Sequence, residues 1–286
     1  MEIKTFFDKN TSTLTYVVYD KITKDTILID PVLDYDPDTS KYSTSSVDNV
    51  INFLNTNELI LHYILETHAH ADHLSGSQFI KQAFPKAKLA IGENIKLVQK
   101  TFKHVFNFKN FNENGIQFDL LLQDNSELVF GNFIIKTLYT PGHTPACVSY
   151  LINEDVVFTG DVLFMHDYGT GRCDFPGGSS AQMYESVTKR LYTLPNHTRV
   201  FVGHDYLPKE REVKYETTIG KEKKLNPQLN ENTSKEEFIK NRDARDKILK
   251  SPKLLLQSLQ VNIDAGFLPK KEDNDQQYLK IPIRRG

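Results

Sequence analysis

The stretch that decides the fold is Leu59-Ile60-Leu61-His62-Tyr63-Ile64-Leu65-Glu66-Thr67-His68-Ala69-His70-Ala71-Asp72-His73. Its first half is an apolar run of strand length, and Leu59 to Leu65 is expected to be a buried strand. Directly behind it come three imidazoles and one carboxylate within six residues. Imidazole ligates zinc, iron and copper, and a carboxylate extends the fit to iron and manganese, so a metal site outweighs a merely polar loop. Leu74 to Phe84 follows at helical spacing, with Phe79, Ile80, Ala83 and Phe84 as the inward face and Pro85 as the stop. Strand, loop and helix form one unit.

Outward from this unit the chain is rich in hairpins. Leu14 to Val18 and Thr26 to Ile29 flank a polar turn. Val47, Val50, Ile51 and Leu54 recur at helical spacing, and Leu89 to Gly92 is a short strand. Glu93 to Asn114 is polar, aromatic and unassigned. Leu128 to Phe130 and Phe133 to Tyr139 pair around Gly131-Asn132, and Cys147 to Ile152 pairs with Val156 to Phe158 around Asn153-Glu154-Asp155. Ala181 to Leu194 is expected to be a helix facing inward through Met183, Val187, Leu191 and Leu194. Arg199 to Val202 is the last clear strand. Lys209 to Lys224 is charged throughout and reads as a solvated helix with i,i+4 ion pairs. Ser234-Lys235-Glu236-Glu237 has the form of a capping box opening a helix to about Leu249, and another apolar run begins at Leu254.

Four apolar strands therefore end in a candidate ligand: His68 with its neighbours, His143 after Pro141-Gly142, Asp161 after Thr159-Gly160, and His204 after Gly203. Loops at one edge of a rigid sheet can bring such distant positions together. The glycines are expected where backbone passes close to a crowded centre.

Composition narrows the partners. A net charge of −2 gives no basic footprint for nucleic acid and no polybasic patch for a membrane, so a small molecule is the expected partner. No apolar run approaches a transmembrane length, and the N-terminus lacks the pattern of a signal peptide, so the expected location is the cytoplasm. Two cysteines, Cys147 and Cys173, fall short of a disulfide framework. Cys147 reads as a buried, inert thiol. Cys173 lies in a loop, where an inert role outweighs a reactive one. His62 is expected within its strand, and His104, His166 and His197 in surface or loop roles.

His68-Ala69-His70-Ala71-Asp72-His73, Pro141-Gly142-His143, Thr159-Gly160-Asp161 and Gly203-His204-Asp205-Tyr206 together resemble the metallo-β-lactamase superfamily over roughly residues 12 to 210. The resemblance implies an α/β fold, a four-layer αββα sandwich with metals at the edge of two packed sheets. A catalytic domain would span 1–225, with a helical C-terminal extension, 226–286, packed on it. In the two-metal form of the family, His68, His70 and His143 would bind one metal, Asp72, His73 and His204 a second, and Asp161 would bridge them.

Two branches that act on glutathione conjugates keep all seven ligands. The glyoxalase II type hydrolyses acylglutathione thioesters, with two zinc ions as the expected complement. The persulfide dioxygenases oxidise glutathione persulfide with O2 to sulfite, using one Fe(II). The loop Asp167 to Gly178 resembles the dioxygenase signature, with its Gly171-Arg172-Cys173-Asp174-Phe175 core, whereas the hydrolases usually carry a lysine- and tyrosine-containing loop. Ser258-Leu259-Gln260-Val261-Asn262 and Tyr278-Leu279-Lys280-Ile281-Pro282 resemble the bacterial β-lactamase-like subgroup of the dioxygenases. Cys173 departs from the threonine of many animal relatives.

On the dioxygenase reading, His68, His143 and Asp161 form a two-His, one-carboxylate triad that leaves three iron positions open for persulfide sulfur and O2. His70, Asp72, His73 and His204 then orient ligands or line the site. Arg172 is the candidate clamp for a substrate carboxylate, with Asp174 orienting it or binding the glutathione amine. The alternative is an Arg172–Asp174 pair that holds the loop. Tyr206 is a candidate substrate contact, against a packing role. Two other readings stand beside this one: the binuclear hydrolase, and a non-catalytic metal-binding regulator. The charged region and C-terminal helices could present a homodimer surface.

Overall fold

The computed structural model describes residues 1–283. In chain order, the first half contains β1 (Glu2–Asp8), β2 (Thr13–Tyr19), β3 (Asp25–Ile29), β4 (Val32–Asp36), β5 (Lys41–Ser43), α1 (Ser45–Thr56), β6 (Ile60–Glu66), β7 (Leu74–Ser75), α2 (Ser77–Ala83), β8 (Lys88–Gly92), α3 (Ile95–Phe106) and β9 (Leu120–Leu122). Its main sheet has the order β1-β2-β3-β6-β8-β9, antiparallel as far as β3 and parallel beyond it. The second half contains β10 (Glu127–Phe130), β11 (Phe133–Tyr139), β12 (Val148–Ile152), β13 (Val156–Phe158), α4 (Ser180–Ser186), β14 (Arg199–Phe201), β15 (Glu216–Thr218), α5 (Ile219–Leu225), α6 (Lys235–Asp246) and α7 (Leu255–Asn262). Strands β10 to β15 form a second six-stranded sheet in sequential order.

The central strands are buried on both faces, which explains why they read as continuous apolar runs. Leu14, Tyr16 and Val18 of β2 enter the core between the sheets, while Val17 faces the helical layer with Val50, Leu54, Val98 and Phe102. Met183, Val187, Leu191 and Phe238 cover the outer face of the second sheet. These layers form the expected αββα sandwich.

The sheets are tied at their centre and at one edge. Tyr16 meets Phe158 and Phe201 edge-on, with ring centroids 5.0 and 5.5 Å away, and its hydroxyl donates to the Val202 carbonyl at 2.6 Å. From the other sheet, the Tyr150 hydroxyl donates to the Glu66 carbonyl at 2.8 Å. Backbone bonds from Leu14 N to Gly203 O (2.9 Å) and from Val148 N to Thr67 O (3.0 Å) continue the stitching along the edge where the candidate ligands emerge.

Several expectations change. Glu2–Asp8 adds β1, a half-buried edge strand that the sequence pattern does not mark. Within 93–114, Ile95, Val98, Gln99, Phe102 and Phe106 form the buried stripe of α3, a helical spacing diluted by lysines on the opposite face. The proposed 74–84 helix begins at Ser77, because Leu74 and Ser75 pair with β4, and Ala83 is exposed rather than inward. The 181–194 helix gives way to a π-turn at Val187–Leu191, with Leu194 only partly buried. Lys209 to Lys224 is not one solvated helix. Arg211 reaches out of it to Asp167 and Asp205, Glu216–Thr218 adds a strand beside β14, and only α5 is α-helical. The Ser234 hydroxyl caps α6 by accepting from Glu237 N at 3.2 Å, but the α-helix stops at Asp246.

Helix α5 also supports the loop after β13. Its fully buried Glu222 accepts from Asn226 Nδ2 at 2.9 Å, and the same amide reaches the Gly169 carbonyl at 3.3 Å. Burial pushes the Glu222 carboxyl up to about 8. Its stabilising contribution is therefore complete below the unfolded carboxyl range and declines as pH rises through about 8. Thermal melts should show Glu222→Gln matching the wild type near pH 5 but melting several degrees higher near pH 9. Parallel melting curves across that range would refute a buried neutral carboxyl.

Candidate metal centre

The ends of β6, β11, β13 and β14 converge at the stitched edge and carry His68, His143, Asp161 and His204. Asp161 lies at the focus. Its Oδ2 is 4.0 Å from His68 Nε2 and 3.6 Å from His143 Nε2, and its Oδ1 is 3.2 Å from His204 Nε2. His204 Nε2 also lies 3.3 Å from Asp72 Oδ2. Two glycines make this approach feasible. A Cβ on Gly160, at φ +49°, would stand 2.5 Å from Thr67 Oγ1, and one on Gly203 would stand 2.8 Å from Asp161 Oδ1.

Hydrogen bonds orient the rings. Thr67 Oγ1 donates its only proton to Asp30 Oδ2 at 2.8 Å, so toward His68 Nδ1, 3.0 Å away, it accepts. His143 Nδ1 donates to the Arg172 carbonyl at 2.7 Å, and His73 Nδ1 to the Leu74 carbonyl at 3.0 Å. Each bond leaves an Nε2 lone pair facing inward. The Nε2 atoms of His68, His70, His73 and His204, His70 Nδ1 and Asp161 Oδ1 are buried without a hydrogen-bond partner. Orphaned polar atoms are costly, and a cation at their centre would satisfy them. The donor set thus fits a metal. Ligand atoms of His68, His143 and Asp161 all lie within 4.8 Å of one another, and so do those of His70, Asp72 and His73.

His70 is placed apart from its neighbours. Its Nε2 lies 3.1 Å from Asp30 Oδ1 and 3.4 Å from Glu66 Oε2, all three side chains being buried. Burial disfavours the His70 cation, yet the two carboxylates outweigh it and raise its pKa well above the usual imidazole range. His68 moves the opposite way, held well down first by burial and then by the neighbouring imidazoles. Burial and His70 bring His73 down to about 4. Burial also opposes charge on His204, but Asp161 and Asp72 raise it. Neutral His68 and His73 are in the state a metal requires.

A cleft of about 1070 Å³ opens from Asp72, His143 and Asp161. The β4–β5 hairpin forms one wall, Phe164, Tyr168, Phe175 and Tyr206 line another, and Arg242 to Leu254 closes the far side. Arg172 lies in this cleft with its guanidinium already engaged. Nε and Nη2 donate to the two Asp174 oxygens at 2.6 and 2.7 Å, and Nη1 to the Lys250 carbonyl at 2.7 Å. The Arg172–Asp174 pair thus forms, with two guanidinium N–H groups left uncommitted. Tyr206 stacks on His204 at 5.4 Å and stays part-exposed to the cleft.

Both cysteines are buried, and burial pushes Cys147 up to about 12 and Cys173 higher still, so both thiols stay protonated. His62 pairs with Asp25 at 2.7 Å, His166 bonds Thr217 at 2.9 Å, and His104 and His197 are exposed.

Three supports were not singled out from sequence. Asp30 holds the 67–70 turn, accepting from Thr67 N as well as its hydroxyl, and Glu66 accepts from Ser75 and Ser77. Their one visible signal was acidic residues at the ends of apolar strands. Asn262, from α7, donates to the carbonyls of His70 (2.7 Å) and His73 (2.8 Å) and accepts from Ser75 N (2.8 Å). Asn262→Ala strands these three buried backbone groups and should cost about 3 kcal/mol in urea unfolding. An unchanged midpoint would mean the loop needs no such brace.

Comparison with known proteins agrees with this geometry. The sequence matches the family described as "Metallo-beta-lactamase superfamily" over residues 9–204. It is 45% identical to "Glyoxylase B2" of Dictyostelium discoideum, covering 99% of this chain and 97% of that one. It is 31% identical to "Persulfide dioxygenase ETHE1, mitochondrial" of Homo sapiens, covering 83% and 79% of the two chains. The crystal structure of ETHE1 from Myxococcus xanthus superposes with a TM-score of 0.75 at 31% identity, covering 93% of this chain and 100% of that one. Among the described residues, no helix is long and apolar enough to cross a membrane. The converging strand ends, the orphaned imidazoles and the matched sequence lead to one conclusion: this chain belongs to the metallo-β-lactamase superfamily.

Proposed function

We propose that the protein is a non-haem Fe(II) persulfide dioxygenase converting glutathione persulfide, O2 and water to glutathione and sulfite. The observation that carries this reading is the placement of His70 against two buried carboxylates. With its Nε2 facing Asp30 and Glu66, His70 stands apart from the trio His68, His143 and Asp161, a two-His, one-carboxylate set. The 31% identity to proteins named persulfide dioxygenase and ETHE1 supports the same branch.

Fe(II) held by these three residues would supply the electron that triplet O2 requires and open positions for both reactants. The protein's contribution is geometric and electrostatic. Thr67 and the Arg172 carbonyl fix the tautomers of His68 and His143, and Asp161 contributes the anionic donor. Phe164, Tyr168, Phe175 and Tyr206 limit water around a reactive sulfur. Lys41, Arg245 and Lys253 line the same cleft and suit an anionic tripeptide thiol, and Arg172, paired with Asp174, lines it too. His70, Asp72, His73 and His204 serve as orienting and lining groups. The cytoplasm is the proposed location, and the homodimer remains part of this proposal.

Iron-loaded protein is expected to consume O2 with glutathione persulfide, form sulfite and hold about one iron per chain. No O2 uptake would overturn the proposal. His68→Ala, His143→Ala and Asp161→Ala should each lower turnover by about a hundredfold or more.

The binuclear hydrolase reading is favoured by the 45% identity to the protein named "Glyoxylase B2" and by the geometry. His70, Asp72 and His73 offer a second trio within 4.8 Å, and His204 Nε2 stands between Asp72 and Asp161. It predicts about two zinc ions per chain and oxygen-independent turnover of an acylglutathione.

A further inference from the structure

The peptide unit between Arg172 and Cys173 is bonded at both ends to groups that matter for the metal centre. Its carbonyl accepts from His143 Nδ1 at 2.7 Å, and its N–H donates to Asp246 Oδ2 at 2.8 Å. From this geometry we infer that Asp246, in the C-terminal extension, is a positioning residue for His143. Its carboxylate acts through one peptide plane to fix the ring's tautomer and strengthen Nε2 as a metal donor. The inference rests on the metal-binding reading and not on the choice of reaction.

The physical basis is conjugation. A peptide is a planar, resonance-linked unit, so an anion accepting at its N–H shifts electron density toward its oxygen. A richer oxygen binds the Nδ1–H more firmly, and a carbonyl cannot donate, so the proton is confined to Nδ1. His143, Cys173 and Asp246 are 4, 6 and 5% exposed, so water does not screen the relay. Asp246 is itself held by Arg242, whose Nη1 also donates to Gln228 Oε1 (2.9 Å) and the Thr170 carbonyl (3.2 Å). One ion pair thus pins the loop on both sides of Arg172.

His68 shows the same arrangement by another route, its Nδ1 reaching the Asp30 carboxylate through the Thr67 hydroxyl. Both imidazoles of the proposed triad therefore have a buried carboxylate one group removed. Asp246 is not needed merely to dock α6. Ser180 Oγ donates to Asp243 Oδ1 at 2.7 Å, and Phe238 enters the core.

The test is cobalt(II) titration of metal-free, full-length protein, read by visible absorption, with melting curves to verify folding. Asp246→Asn should weaken cobalt binding by about tenfold and shift its absorption bands. The charge-balanced pair R242Q/D246N leaves no stranded cation and should show the same loss if the single variant folds poorly. Ser180→Ala, which loosens α6 without touching the peptide, should bind like wild type. Wild-type affinity in both Asp246 variants would overturn the inference, as would an equal loss in Ser180→Ala. No turnover is measured, so failure of the dioxygenase reading leaves this experiment intact.

Discussion

The Asp30 carboxylate is the fixed point on which the site depends. It is buried at the end of β3, in a left-handed backbone conformation (φ +50°), and accepts the Thr67 amide and hydroxyl while facing the His70 imidazole. Burial alone would raise its pKa, but His70 and the Thr67 bonds hold it below the usual carboxylate range. A buried anion needs such partners. The consequence is a division of labour among histidines two residues apart: His70 neutralises the anion, while His68, reached through Thr67, stays neutral with its Nε2 free.

Most of the scaffold was legible because its strands are buried on both faces and bounded by turns. The turns at Gly131-Asn132 and Asn153-Glu154-Asp155 were legible from their residue types, with Gly131, Asn153 and Glu154 in left-handed backbone, although Glu154 at φ +56° is an unusual occupant. The converging ligands were legible for a related reason: each stands at the end of an apolar run, and His143, Asp161 and His204 each follow a glycine. Helix α3 was hidden because its stripe includes Gln99, whose buried amide is satisfied by Gln117, Gly115 and Ile263 rather than by apolar neighbours. The 209–224 segment misled because charge runs are usually solvated, whereas Arg211 spends its charge on Asp167 and Asp205 across the fold.

What the sequence could not show is the set of long-range hydrogen bonds. Asn262 and Asp246 look like ordinary helix residues, and nothing local marks the carbonyls or amide they serve. Arg172 illustrates the same gap. Its neighbour two residues on takes up one edge of the fork that a substrate carboxylate was expected to fill. Residue type suggested a clamp and geometry added a structural role.

The brace supplied by α7 has a consequence for biosynthesis. Asn262 closes contacts spanning 187 to 192 residues back to the metal loop, among the largest separations in the molecule. A chain emerging from the ribosome therefore presents His68 to His73 long before the residue that ties their backbone down. The two sheets can pair while the loop is still untethered, and closing so long a loop is entropically costly until they have. The order of synthesis thus makes the ligand loop among the last parts of the fold to be secured, and truncation near the C-terminus strikes the metal centre first.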